Sequence, residues 1–182
     1  MAEISKGIVI TTSEHTKDYL LPLLHSIKDT KYSVLVVSNG GYEPKINFND
    51  VYLYVNNWNG FELGGIIRGK EYFDEFIHLM DSCIIKDISL FDKLFNIYGN
   101  VFLTNGGYHY MGKFVSKLLP EIPKISTKQE AIDFELHWLK KPYTYFEPDL
   151  SVHTDIFEEK YGQRRMRLEN DYLIKWKGTW SL

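Results

Sequence analysis

Four short apolar runs, each ending in a polar loop that carries Asn, Ser or Gly, set the rhythm of the first hundred residues. They are Gly7-Ile-Val-Ile-Thr-Thr12, Ser33-Val-Leu-Val-Val37, Val51-Tyr-Leu-Tyr-Val55 and Phe76-Ile-His-Leu-Met80. Their length, and the β-branched residues in the first two, predict strands, with those apolar throughout suited to burial on both sheet faces. Helical spacing fills two of the gaps. Asp18–Ile27 puts Leu20, Leu23, Leu24 and Ile27 on one side, with Pro22 marking a late start, and Thr16 stands ahead of it as an N-cap. Glu62–Tyr72 carries an apolar stripe from Leu63 through Ile66 and Ile67 towards Phe73. Gly60, Gly64 and Gly65 before and inside that helix predict a tight turn and a close backbone approach.

The same alternation continues less regularly. Ser89–Tyr98 reads as a helix and Asn100–Thr104 as a strand, followed by the loop Asn105-Gly106-Gly107 and the aromatic stretch from Tyr108 to Phe114. A helix runs from a cap at Ser126 or Thr127 to Lys140, with Ile132, Leu136 and Leu139 apolar. Glu130, three residues after Thr127, completes a capping box. Tyr143–Phe146 reads as a short strand, and 164–180 is a basic, aromatic tail. Strands alternating with helices predict an α/β fold, a Rossmann-type single domain over residues 1–182 whose central sheet is mainly parallel and flanked by helices.

Composition narrows this picture in a few places. A chain of 182 residues with 44% hydrophobic and 15% aromatic content can bury a large single core. A net charge of −3 makes no global case for nucleic-acid binding. The single cysteine, Cys83, rules out an intrachain disulfide and a cysteine zinc cluster, and such usage suits a reducing, cytoplasmic location. No run approaches the ~18 apolar residues of a membrane span.

Candidate chemistry gathers at strand ends, where ligands of open α/β sheets bind. Asp81-Ser82 follows the fourth strand directly, and a carboxylate there beside an Asn/Gly-rich loop suggests a metal-assisted phosphate site; the bland alternative is a loop cap. Thr11 and Thr12 end the first strand, and Thr12, nearer the loop, is the better nucleotide contact. Asn39 ends the second, as a nucleoside contact or as a turn residue beside Gly40-Gly41. Glu62 opens a helix, where its charge favours the positive N-terminus. His78, mid-strand, reads as a hydrogen-bonded core histidine. In the tail, Arg164, Arg165, Arg167, Lys175 and Lys177 alternate with Tyr172, Trp176 and Trp180. That pattern fits a segment packed on the sheet, or a lid whose cations neutralise a leaving group; stacking on nucleic-acid bases is a third reading, which the net negative charge disfavours.

This order of elements resembles a glycosyltransferase of the GT-A fold, family 2-like. The resemblance rests on Thr11-Thr12-Ser13-Glu14 after the first strand, Ser38-Asn39-Gly40 after the second, and Asn57-Trp58-Asn59-Gly60 with Glu62 and Gly64-Gly65 after the third. Met80-Asp81-Ser82-Cys83 stands in the place of the metal-binding Asp-x-Asp element. The Asn-x-Gly-x-Glu-x-Gly-Gly pattern is similar to that of small rhamnosyltransferase-like members, and the likeness spans about residues 7–140. It implies transfer of a sugar from a nucleotide-diphosphate donor to a carbohydrate or other hydroxyl acceptor, with inversion at the anomeric carbon as the expected outcome. It also implies Mn²⁺ or Mg²⁺ held by Asp81 with Ser82, His153 as a late metal ligand, and Asp133 or Glu135 as the base that deprotonates the acceptor. Those two carboxylates point about 200° apart on a helix, so at most one faces a site. The resemblance further implies a nucleotide-binding half over residues 1–104 and an acceptor half with a C-terminal lid segment over 105–182, with Glu62 against the hydroxyls of the donor sugar and the 106–110 loop shaping the acceptor pocket. Cys83 departs from the pattern where a second Asp would stand, and a neutral thiol is a poor ligand for hard Mg²⁺ or Mn²⁺, which leaves Asp81 to hold the metal with Ser82, phosphate oxygens and water, or else a metal-independent or inactive enzyme. From another class comes a non-catalytic nucleotide- or sugar-binding module on the same fold, which Cys83 favours. A nucleotidyltransferase shares the α/β plan, but Thr11–His15 lacks its Gly-rich signature with Lys or Arg.

Overall fold

The computed structural model describes residues 5–103, 111–138, 144–146, 151–158 and 163–178; for 135–138, 144–145, 151–158, 163–168 and 177–178 it describes the backbone alone. The first four runs are strands as expected: β1 Lys6–Ser13, β2 Ser33–Asn39, β3 Val51–Val55 and β4 Glu75–Met80. α1 Lys17–Ser26 follows β1 and α2 Phe61–Tyr72 follows β3. Pro22 lies inside α1 rather than before it, on the exposed side, where the carbonyl it leaves unbonded can face water. β5 Cys83–Ile85, α3 Ser89–Phe95, β6 Val101–Phe102, β7 Gly112–Val115 and α4 Lys128–Trp138 come next. β8 Thr144–Tyr145, β9 Ser151–Glu158, β10 Gln163–Glu169 and β11 Leu173–Gly178 complete the set.

Seven strands form the central sheet in the order β3-β2-β1-β4-β7-β6-β8. β3, β2, β1 and β4 run parallel, β7 runs against both β4 and β6, and β8 is parallel to β6. The fold is therefore α/β with a mostly parallel sheet. The order reverses at β1, which has β2 on one side and β4 on the other, so this is the switch point where crevices open at the strands' carboxyl ends.

Pleating divides the strand residues between two cores. Ile8, Ile10, Val34, Val36, Ile77 and Leu79 pack against Leu20, Leu23 and Leu24 of α1 and Leu90, Phe91 and Leu94 of α3. Val9, Leu35, Val37 and Phe76 pack on the other face against Leu63 and Ile66 of α2 and Ala131 of α4. The capping box of α4 forms: Thr127 N–H donates to Glu130 Oε2 at 2.9 Å and Glu130 N–H to Thr127 Oγ1 at 3.2 Å. Its inward face differs from the expected stripe, for Ala131 is buried and Ile132 exposed.

The tail holds the main departure from expectation. Rather than one segment laid on the central sheet or over a ligand, 151–158 and 163–178 join β5 in a second, antiparallel sheet in the order β5-β11-β10-β9. Its link to the first is the turn Asp81-Ser82, through which the chain leaves β4 and enters β5. β11 lies along β5 with Leu173 opposite Ile85 and Lys175 opposite Cys83, and Leu173, Cys83 and Ile85 join the α1-side core. Among the described residues no helix is long and apolar enough to cross a membrane.

Candidate functional site

The alternation of side chains along β1, β2 and β4 decides which strand-end residues meet. Thr12 pairs in register with Ser38 on one side, and on the other the β1–β4 register carries it opposite Asp81. All three belong to the α1 face. Thr12 donates its hydroxyl to Asp81 Oδ2 at 2.7 Å, and Asp81 N–H donates to the Thr11 carbonyl at 3.1 Å, closing the turn against β1. Thr16 occupies the N-cap position of α1 without capping it; its hydroxyl lies 3.2 Å from Ser13 Oγ and hydrogen-bonds to Asp81.

β11 supplies the remaining group. Lys175 Nζ donates to Ser82 Oγ, and Trp176 N–H donates to the Ser82 carbonyl at 2.9 Å, so the C-terminal strand is tied to the turn by side chain and backbone. Lys175 and Asp81 are each only 3% exposed. Burial pushes the Asp81 carboxyl up to about 6, against the downward pull of the Thr16 and Thr12 hydroxyls, the Lys175 charge and the Ser82 backbone. Ser82 and Ser13 are the partly exposed lip of the cluster. Ser38 Oγ is fully buried beside Thr12 and has no hydrogen-bond partner among the described residues. As a polar residue closing an apolar strand it was readable in the sequence, where its neighbour Asn39 stood out instead.

Thr11 and Asn39 face the other way. Thr11 Oγ1 lies 2.7 Å from His78 Nε2 under α2, and a Cβ at Gly65 would overlap that hydroxyl, which is why glycine allows the helix so close. His78 is thus the hydrogen-bonded core histidine expected. Asn39 Nδ2 donates to the Phe61 carbonyl at 2.6 Å and its Oδ1 accepts from Asn56 at 2.9 Å. Phe61 has a φ of +47°, a conformation a bulky residue holds only when its surroundings impose it, and Asn39 is part of those surroundings. Asn56 accepts in turn from Arg68 Nε at 3.1 Å, and Arg68 stacks 4.2 Å from the centre of the Tyr54 ring. Glu62 is half-buried in the first turn of α2, its carbonyl 3.5 Å from Thr11 Oγ1.

Of the remaining candidates, Asp133 lies away from Asp81. Asp133 is exposed on α4 and accepts from Gln129 Nε2 at 2.8 Å, one helical turn away. α4 packs on the α2 face of the sheet, opposite the Asp81 cluster. The side chains of Glu135 and His153 lie outside those described, as does the 106–110 loop. His153 is in β9, at the opposite edge of the second sheet from β5; three strand spacings separate the two, about 14 Å.

A divalent metal is poorly matched to the donors near Asp81. The carboxylate already accepts two hydroxyls, an ammonium stands beside it, and burial favours its neutral form. Cys83, in the position of the missing second Asp, is 1% exposed, 3.4 Å from Met111 Sδ, and its thiol is pushed up to about 11 by burial, so it stays protonated. No group of three His, Cys, Asp or Glu able to hold an ion occurs among the described residues. What the cluster can do is present a positive charge and several hydroxyls at the end of β1 and β4, a set of donors suited to an anion. No family model matches the chain, and no curated protein matches it.

Proposed function

We propose that the chain is a nucleotide-sugar glycosyltransferase of the GT-A type that binds the donor diphosphate at the switch point between β1 and β4. The observation that carries this reading is the return of the C-terminal strand to the Asp81-Ser82 turn, which sets the Lys175 ammonium beside the carboxyl ends of β1 and β4. Negative charge builds on a departing nucleoside diphosphate, and a fixed cation in a water-poor site stabilises it most as it forms. Lys175 is that cation. Asp81 holds the hydroxyls of Thr12 and Thr16 in place and offsets the lysine charge when no anion is bound. Ser13 and Ser82 meet the phosphates at the lip, and Ser38 supplies a buried hydroxyl to the nucleoside side.

A second reading, a non-catalytic nucleotide- or sugar-binding module on the same fold, is favoured by the placement of Asp133. A base must come within hydrogen-bond reach of the acceptor hydroxyl, and Asp133 sits on a solvent face bonded to Gln129.

A thermal-shift screen against UDP, GDP and the free nucleosides, followed by hydrolysis and transfer assays with several nucleotide sugars, tests both readings. A diphosphate at ~100 times its dissociation constant should stabilise the fold by ~2.7 kcal/mol. Binding of a diphosphate but not of its nucleoside, together with donor turnover, is expected, and EDTA should leave the binding in place. Binding without turnover transfers the case to the module. Failure of every diphosphate to bind removes the transferase and the nucleotide-binding form of the module.

A further inference from the structure

β3 is an edge strand of the seven-stranded sheet, and nothing in it guards the edge. Its five residues, Val51-Tyr52-Leu53-Tyr54-Val55, include no charge and no proline, the usual devices against edge-to-edge pairing. Tyr52 is 61% exposed and Leu53 36%. The hydrogen bonds at either end of the strand fix which backbone groups face outwards. Asn56 donates to the Ser38 carbonyl and accepts from Gly41, both at 2.8 Å, and the Asp50 carbonyl accepts from Val34 at 3.4 Å. The even-numbered residues therefore turn their N–H and C=O towards β2. Val51, Leu53 and Val55 turn theirs to the open edge, where among the described residues none meets them.

The strand reads the same in both directions. An antiparallel partner of identical sequence, centred on Leu53, sets Leu53 opposite itself and Val51 opposite the partner's Val55. All three outward-facing residues then form hydrogen-bonded pairs, and no one-residue slip is needed to satisfy them. Tyr52 falls opposite the partner's Tyr54 in the closer, non-hydrogen-bonded pair, where aromatic cross-strand contacts stabilise a sheet. Both tyrosines lie on the α2 face, where Tyr54 already packs edge-on against Tyr72 at 6.4 Å, and Tyr72 is itself exposed. The flanking positions bring Asp50 opposite the partner's Asn56, so no like charges meet.

We propose that the chain forms a two-fold symmetric dimer by antiparallel pairing of β3 with the β3 of a second copy. The occupant is the same chain because sequence palindrome and hydrogen-bond phase agree on one self-complementary register, which a two-fold interface requires and an unrelated strand would match only by coincidence. Five paired residues with a tyrosine cluster make an interface below the ~1,200–2,000 Å² of tight complexes, so the dimer is in concentration-dependent exchange with its monomer.

Sedimentation velocity and light scattering over about 1 to 200 µM, a range that brackets weak association, should show a mass rising towards twice that of the chain. Leu53→Pro removes an outward N–H without touching a bond to β2, and Leu53→Lys sets like charges on the two-fold axis. Each should hold the protein monomeric throughout that range, with the melting temperature of dilute samples unchanged within a few degrees as the check on folding. Leu53→Cys reads the register directly, because self-paired residues stand about 5.5 Å apart at Cα, within disulfide reach. The native Cys83 is buried and does not compete. Leu53→Cys should crosslink under mild oxidation and Val51→Cys should not. A wild-type protein that stays monomeric at every concentration overturns the proposal. So does a dimer that survives both Leu53→Pro and Leu53→Lys, or one that crosslinks through Val51→Cys in preference to Leu53→Cys.

Discussion

At the carboxyl ends of β1, β2 and β4, the two faces of one sheet treat their polar residues in opposite ways. On the α2 face, Thr11 is matched to His78, Asn39 to Phe61 and Asn56, and Asn56 to Arg68. Each bond ties a strand end or loop to its neighbour, and the network joins the loop after β3 to the helix above it. On the α1 face, one residue further along each strand or one before, the polar groups are costly to the fold. Asp81 is buried against its preference for water, Lys175 is buried beside it, and Ser38 Oγ has no partner among the described residues. A fold tolerates such groups where something other than stability retains them, and the proposed donor site accounts for them on the α1 face. Proximity of Thr11 to Thr12, or of Ser38 to Asn39, says nothing about shared function when the pleat sends them apart.

The sharpest way to break this contrast is at Lys175. Lys175→Ala should lower donor turnover by about 10²–10³-fold, the typical effect of removing one group that stabilises developing negative charge. Thr11→Val on the opposite face should leave turnover where it was. Steady-state kinetics on a hydrolysable donor makes the comparison, and equal losses in the two variants would dissolve the distinction between the faces.

Asp81 gives the next largest effect, and its sign is set by its environment. The carboxyl titrates at about 6 in the folded chain against 3.8 when unfolded. Between those values the folded state binds the extra proton. The contribution is therefore fully present below pH 3.8 and is lost as pH rises through about 6. A rise of that size corresponds to on the order of 3 kcal/mol. Asp81→Asn removes the buried charge, so at pH 7 it should melt several degrees higher than wild type, roughly 2–4 °C per kcal/mol for a chain of this size. The gain should vanish as the pH approaches 4. Melting curves from pH 4 to 8 check it, and a variant less stable than wild type at pH 7 would mean that the carboxylate holds the turn together more than its burial costs.

Much of this architecture was legible because β1 to β4 are runs of apolar residues bounded by loops, and because the box Thr127-x-x-Glu130 announces its helix locally. The second sheet was not. β11 meets β5 across some ninety residues, and no local pattern reports a pairing of that range. Its inward-facing positions are Leu173 and Lys175, so the alternation that would mark a strand is broken by a buried charge whose reason is the distant Ser82. β7 was masked likewise by Lys113, buried with its ammonium 2.7 Å from the Ile97 carbonyl. At the candidate site, the strand-end residues Asp81, Thr12 and Ser82 do meet one another and Lys175. Thr11 and Asn39 were included because position along a strand was weighed without its face.

A smaller effect, on stability alone, separates the faces again. Thr11→Val keeps the shape of the side chain and removes its hydrogen bond to His78, which should cost about 1–2 kcal/mol by leaving a buried ring nitrogen short of a partner. Chemical denaturation measures it. A neutral outcome would show that His78 satisfies itself elsewhere, and the α2 face would then be less committed to the fold than its geometry suggests.

The smallest change is the most discriminating for Ser38. Its hydroxyl is enclosed beside Thr12 at the end of β2 and makes no hydrogen bond among the described residues. A buried hydroxyl without a partner carries its desolvation cost with nothing in return, so Ser38→Ala should leave stability unchanged or raise it by up to about 1 kcal/mol. If the hydroxyl serves the nucleoside, the same variant should bind UDP or GDP several-fold more weakly, in keeping with the ~0.5–1.5 kcal/mol of one neutral hydrogen bond. Stability and affinity then move in opposite directions, which a packing residue does not do. Calorimetric titration of the variant beside its denaturation curve gives both quantities from one preparation. A loss of stability with affinity intact would return Ser38 to the core and leave Lys175 and Asp81 as the groups that define the site.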